Sequence, residues 1–193
     1  DVRTLPSGRI LATLSDARGD LASTSDSESL LTGLYVQESW RPTERWIVDT
    51  GLRYDVIDME NTTDELTQYS WATGRYVAGD GYEHTEKTFH LPAPKLAVTY
   101  KLGDGIHLFG MIAQAAQVPS SGEVSSNPAL DASVARNIEF GLKGRDRDWS
   151  FDASVYHTKV SDEIVQINTG GVTEYTNAGK TDKKGVELSG SVG

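Results

Sequence analysis

The chain contains no cysteine and only two methionines, and none of its apolar runs approaches eighteen residues. Without thiols it can form no disulfide framework, no thiol nucleophile and no cysteine-ligated zinc site. Without a long apolar run it has no helix that would span a bilayer. The opening stretch, Asp1–Ile10, has neither the basic nor the apolar region of a secretory signal. Positive charge is scarce as well: 18 Lys and Arg stand against 28 Asp and Glu, a formal net charge of −10. Such a surface cannot replace phosphate counterions, which argues against nucleic acid as a partner. The densest basic stretch, Lys180–Lys184, reads as a solvated loop. Apolar residues make up 37% of the 193, while glycine is plentiful at 19. Little grease without obvious disorder suits strands that keep one face wet. If the chain belongs in a membrane, only a barrel remains, because a spanning segment must satisfy its backbone internally.

What is present is alternation. Ile138, Phe140 and Leu142 oppose Glu139 and Gly141, and Trp149, Phe151, Ala153 and Val155 oppose Ser150, Asp152, Ser154 and Tyr156. Val186, Leu188, Gly190 and Val192 oppose Glu187, Ser189 and Ser191. Successive side chains of a strand point to opposite faces, so each run has a greasy side and a polar side. Earlier runs repeat the pattern. Leu34, Val36 and Trp40 share a face that Glu38 interrupts, and Trp46, Val48, Thr50, Leu52 and Tyr54 share another. Leu96, Val98, Tyr100 and Leu102 form a third, whereas Ile106–Gln117 leaves its greasy face undecided.

The links between runs alternate in kind. Short turns at 41–45, 103–105 and 144–148 are separated by long polar stretches at 57–87 and 118–134. Gly103-Asp104-Gly105 supplies the positive φ that a hairpin turn needs. A soluble sandwich has no reason to make every second turn minimal. An outer-membrane barrel does, because one rim carries short periplasmic turns and the other long external loops. Trp40, Trp46, Tyr54, Tyr100 and Trp149 lie near strand ends, as in interfacial aromatic girdles. The expected fold is therefore all-β: an antiparallel meander of about seven strands, a segment of a large transmembrane barrel with a wet lumen. Asp20–Ser29 reads as a polar surface loop and Arg9–Leu14 as a short strand.

The landmarks LYVQESWRP (34–42), DTGLRYD (49–55), PKLAVTY (94–100), NPAL (127–130), ARNIEFGLKG (135–144), WSFDASVYHTKVSDEIV (149–165) and YTNAGKTDKKGVEL (175–188) occur in that order. In order and spacing they resemble TonB-dependent outer-membrane receptors of the siderophore type. The resemblance implies a large plugged barrel, of the kind built from 22 strands. It also implies energised uptake of a scarce solute, a ferric siderophore or similar chelate, with TonB, outer-membrane lipid and lipopolysaccharide as partners. A Gram-negative outer membrane is the implied location. Residues 1–193 would be one partial barrel domain, from its middle to C-terminal part, without a plug domain. Open strand edges and greasy faces predict that the isolated chain oligomerises or needs a substitute for lipid.

Chemistry-bearing motifs are sparse. Gly179-Lys180-Thr181 resembles the end of a phosphate loop, but Glu174 stands where the earlier glycine belongs and strand pattern surrounds it. Glu83, His84, Glu86 and His90 are of metal-ligating type without an evident scaffold. His90, His107 and His157 show no local signature with any serine. No catalytic residue, metal or cofactor is assigned. The stretch 57–87 is the better functional candidate, with Asp58, Glu60, Asp64, Glu65, Asp80, Glu83 and Glu86 against Arg75 and Lys87. Tyr69, Trp71, Arg75, Tyr76 and Tyr82 are its candidate ligand-binding residues, since aromatics offer rigid contact area. Its acidity favours a neutral or cationic chelate. A solvated loop whose aromatics pack on one another is the alternative. Two further functions stay open: a soluble β-rich adhesin or carbohydrate-binding module, and an outer-membrane barrel enzyme.

Overall fold

The computed structural model describes residues 2–4, 10–12, 21–70, 72–103, 105–169 and 172–193. Two short strands, β1 (Val2–Thr4) and β2 (Ile10–Ala12), pair antiparallel with Val2 opposite Ala12. The expected strand Arg9–Leu14 is thus present as β2, and its outer residues lie outside the described ones. Seven strands then form one sheet in chain order: β3 (Ser23–Trp40), β4 (Trp46–Ser70), β5 (Arg75–Gly103), β6 (Ile106–Gln117), β7 (Ser133–Arg145), β8 (Trp149–Thr169) and β9 (Val172–Val192). This is the expected antiparallel meander. The chain divides into two compact units, residues 1–26 with 62–84, and residues 27–61 with 85–193.

In the larger unit, register fixes the two faces. Leu108, Leu142, Ala153 and Leu188 align across β6–β9, as do Gly110, Phe140, Val155 and Val186. Register partners share a face, so these rows build one apolar surface. It is exposed: Leu188 is 77% accessible, Val186 67% and Phe140 59%. Side chains of that length are normally covered by something. The opposite face is polar, with Lys143 3.2 Å from Asp152 and Arg53 2.7 Å from Asp55. The face of β6 is settled by its neighbour: Ile106, Leu108 and Ile112 join the apolar rows. Phe109 takes the polar face, where the Lys143 ammonium lies 4.3 Å from its ring centroid. The sequence left β6 ambiguous because both of its faces carry apolar residues.

The tight turns hold as expected. Gly103 and Gly105 take φ of +127° and +76°, values other residues reach only with strain, and Asp104 lies outside the described residues. Rings gather at this end: Trp46 and Tyr100 have centroids 4.7 Å apart, and Trp149 stacks on Phe151 at 5.7 Å.

The long links are not loops throughout. Most of 57–87 belongs to β4 and β5, which run on to Ser70 and resume at Arg75. Asp20–Ser29 is likewise largely strand, since β3 begins at Ser23. A strand wetted on both faces has paired backbone but no apolar period, so alternation cannot reveal it. Lys180–Lys184 is also not a loop; Thr181 to Lys184 pair with Val160 to His157 inside β9.

The stretch 118–134 contains a helix, α1 (Ser121–Ser126), begun by a capping box in which Ser120 and Glu123 satisfy each other's backbone N–H. So short a helix is not stable alone. Val124 holds it by packing with Ile57, Phe89 and Leu91, burial on the order of 1.5–3 kcal/mol per side chain. A hydrogen bond of 3.0 Å between Tyr54 Oη and His90 Nδ1 puts those two on the other side of β4 and β5. The helix therefore covers the polar side.

Two of the sequence landmarks explain how this cover is tied down. The Asn127 amide donates to the Tyr175 carbonyl at 2.8 Å, and Leu130 of the same NPAL stretch is 1% exposed. Asn177 accepts from the Asp131 N–H at 2.8 Å and donates to the carbonyls of Asp131 and Asp162, at 2.9 and 2.7 Å. Asp162 has φ +57° and sits where the β8–β9 register shifts. One asparagine thus stitches the cover to β9 and stabilises a bulge in β8.

Candidate functional site

The candidate binding residues lie in the smaller unit, at the outer part of the β4–β5 hairpin. The chain reverses there through 72–74, with Gly74 at φ +65° donating its N–H to the Ser70 carbonyl at 2.8 Å. Close strand approach is enforced lower down. A Cβ at Gly79 would lie 2.1 Å from the Glu65 carbonyl oxygen, so only glycine fits. The Gln68 amide donates to Asp80 at 3.1 Å, and Leu66 and Thr67 donate backbone N–H groups to Ala22 at 2.9 and 3.1 Å.

This geometry brings Tyr69 and Tyr76 together, with centroids 5.3 Å apart and planes at 70°. An edge-to-face pair of this kind contributes about 0.5–1.5 kcal/mol beyond area burial. Packing does not hide it, since Tyr76 stays 72% exposed. Arg75 is exposed beside Tyr76, and Tyr82, 70% exposed, lies farther along β5. Trp71 lies outside the described residues. The arrangement presents aromatic area and carboxylates to solvent. It offers contact and charge.

Of the remaining sequence candidates, His84 lies in the same unit and His90 and His157 in the larger one. His90 is engaged with Tyr54, and His84 Nδ1 is 3.2 Å from Thr62 Oγ1. His157 donates to Asp182 at 2.9 Å. Gly179-Lys180-Thr181 is strand, with Gly179 opposite Glu163 and Thr181 opposite Val160, not a phosphate loop. Sequence reading missed α1 and its cover, although Ser120-x-x-Glu123 before Val124 is a legible helix start. Beside that cover is a cavity of about 500 Å³ whose walls include Gln117, Glu123, Glu163 and Lys183.

Within the larger unit, a sheet with one exposed apolar face, one polar face, tight turns at one end and the long β8–β9 hairpin at the other is the wall of a transmembrane β-barrel. The chain belongs to the TonB dependent receptor-like, beta-barrel family, whose pattern matches residues 5–193. That family consists of transport receptors of the Gram-negative outer membrane, not enzymes, and its siderophore receptors in general bind ferric chelates and TonB.

Among curated proteins the chain is similar to the pesticin receptor of Yersinia enterocolitica, at 26% identity over 174 residues. That match takes in 87% of the chain and 24% of the relative, so the chain spans about a quarter of the length of the curated relatives it matches. Among solved structures it is similar to the copper transporter OprC, with TM-score 0.69 and 22% identity over 86% of this chain and 27% of that one. The ferric yersiniabactin uptake receptor FyuA of Yersinia pestis gives 0.64 and 22%, over 87% and 25%. The siderophore receptor PiuA of Acinetobacter baumannii gives 0.67 and 20%, over 86% and 23%. At these identities the structures show a shared fold.

Proposed function

We propose that the chain is part of the wall of an outer-membrane receptor that imports a ferric siderophore or similar chelate. Residues 1–193 are, on this reading, a portion of one barrel domain, and TonB drives transport through a plug domain of the whole receptor. The observation that carries the reading is the unlike make-up of the two parts of β4 and β5. In the larger unit they alternate greasy and polar; in the smaller unit their residues form a hairpin carrying the Tyr69–Tyr76 pair among carboxylates. A wall needs the first part and capture of a solute needs the second. The pesticin, yersiniabactin and siderophore receptors among its relatives support a chelate as cargo, and the copper transporter supports a metal more broadly.

The wall itself is passive. Its apolar face meets outer-membrane lipid and lipopolysaccharide, its polar face the lumen. Tyr69, Trp71, Arg75, Tyr76 and Tyr82 contact the cargo, and the surrounding acids exclude strongly anionic chelates. A strain lacking the whole receptor, grown on single iron chelates, should fail on one of them and recover with the intact gene. Undiminished growth on every chelate would remove the siderophore assignment. In the recovered strain Tyr69→Ala and Tyr76→Ala should each weaken binding of that chelate roughly tenfold, about 1.4 kcal/mol, as loss of an aromatic anchor does. Unchanged affinity in both would move the capture site away from this hairpin.

A further inference from the structure

The cover over residues 118–134 is tied at both flanks of the larger unit. On one flank Asn61 of β4, 7% exposed, donates its amide to the Ser121 carbonyl at 2.8 Å and to the Ser125 hydroxyl. On the other, Asn127 reaches the Tyr175 carbonyl and Asn177 holds Asp131, both from β9. The strands between β4 and β9 therefore pass beneath a fixed strap. The cavity of about 500 Å³ lies there, against the ends of β6–β9, and its size is that of small-molecule sites, roughly 300–1,000 Å³.

Two features of the wall make this space. Small side chains floor it: Ala115 pairs with Ala135, and Ser133 stands opposite Gln117. The second feature is the irregularity in β8. Residues three apart on a regular strand point to opposite faces. Val160 and Glu163 nevertheless both line the cavity, because the pairing takes in an extra residue between them: Val160 lies opposite Thr181, and Glu163 opposite Gly179. Asn177 bonds the Asp162 carbonyl within that irregularity. The side chain that ties down the cover thus also fixes the turn of backbone that presents Glu163.

The charges around the cavity are held in place without being neutralised. Glu123 Oε2 accepts from the Ser120 N–H at 2.7 Å and the Ser120 hydroxyl at 2.9 Å. Glu163 Oε2 accepts from the Thr181 hydroxyl. Neutral donors orient both carboxylates and leave their charge in full. Lys183 shares the face of Thr181, two residues along β9, and makes no hydrogen bond or ion pair among the described residues. Two oriented anions and one unpaired cation therefore converge on one space. Their complement is a solute with two cationic groups and one anionic group. A simple diamine would leave Lys183 unpaired, and a monoamino acid would leave one carboxylate unpaired.

We propose that this cavity binds a free diamino monocarboxylic acid, a solute of the lysine type, with its ammonium groups on Glu123 and Glu163 and its carboxylate on Lys183. The proposal goes beyond capture of a chelate at the outer hairpin and rests on the reading of the polar side as a wet lumen. Hydrogen bonds between ionised partners are about twice as strong as neutral ones, which lets three of them select one charge pattern.

The test titrates L-lysine into the whole receptor in detergent micelles, followed by calorimetry and equilibrium dialysis. Cadaverine, which lacks the carboxylate, and norleucine, which lacks the side-chain ammonium, should each bind about tenfold more weakly. Glu163→Gln keeps an acceptor for Thr181 and should lower lysine affinity about tenfold. Lys183→Gln should lower it by a similar factor while leaving cadaverine affinity unchanged, a split that a folding defect would not produce. Tyr69→Ala and Tyr76→Ala should leave lysine binding unchanged, which separates this site from chelate capture. Absence of saturable lysine binding, equal affinity for cadaverine or norleucine, or unchanged lysine affinity in both cavity variants would overturn the proposal. A receptor that stays soluble without detergent and does not enter vesicles would instead defeat the reading of the wall itself.

Discussion

Asn177 does more for this structure than any other single polar side chain described above. Its amide joins the cover over residues 118–134 to β9 and holds the Asp162 bulge, through contacts of 2.8, 2.9 and 2.7 Å. Each such bond is worth about 0.5–1.5 kcal/mol, and less where water competes. Asn177→Ala should therefore destabilise the receptor by about 1–2 kcal/mol. The loss would be read as a lower unfolding midpoint in detergent and earlier protease cleavage near α1. Asn177→Asp keeps the acceptor for Asp131 and loses both donors, so it should fall between. The paired landmarks NPAL and YTNAGK were legible in the sequence as a family resemblance. That they interlock was not legible, because Asn127 and Tyr175 meet only after the strands between them have folded.

At the scale of elements, the outer part of β4–β5 and the helix α1 both lie in stretches that sequence pattern assigns to loops. The hairpin stays extended because backbone pairing needs no apolar period, and because Gly79 lets β5 approach Glu65. Gly79→Val should separate the strands locally. Limited proteolysis would then cut within 62–84 while the rest of the receptor stays resistant; unchanged resistance there would show the pairing to be weaker than the contact implies. Helix α1 depends on its cap and on Val124. Ser120→Ala should cost about 1 kcal/mol. Val124→Ala should cost more, about 2 kcal/mol, since it also opens the contact with Ile57, Phe89 and Leu91. Thermal unfolding of the two variants side by side would test that order.

At the scale of the whole molecule, the decisive property is what covers the apolar face. Leu188, 77% exposed, and Ser189, its neighbour on the other side of β9, make the contrast sharp. If the face met water, Leu188→Lys would be harmless or helpful. Against lipid it should cost about 2–4 kcal/mol near the bilayer centre, whereas Ser189→Lys should be tolerated. Urea unfolding of the receptor in vesicles separates these outcomes, and equal tolerance of both would contradict a lipid-facing wall.

Sequence by itself determined the local matters: which strands alternate, where the chain turns tightly, and that each central strand has two unlike faces. Those properties follow from the two-residue period of an extended chain and from glycine's freedom at positive φ, both of which act within a few residues. Tertiary structure alone decided which face of β6 is greasy, that the stretch at Lys180–Lys184 is strand and not loop, and that its Lys184 lies beside His157 on the apolar side. It also decided that 118–134 is a tethered cover over the polar side. These outcomes depend on register between distant segments, and register is set by many cross-strand contacts at once, which no local window contains.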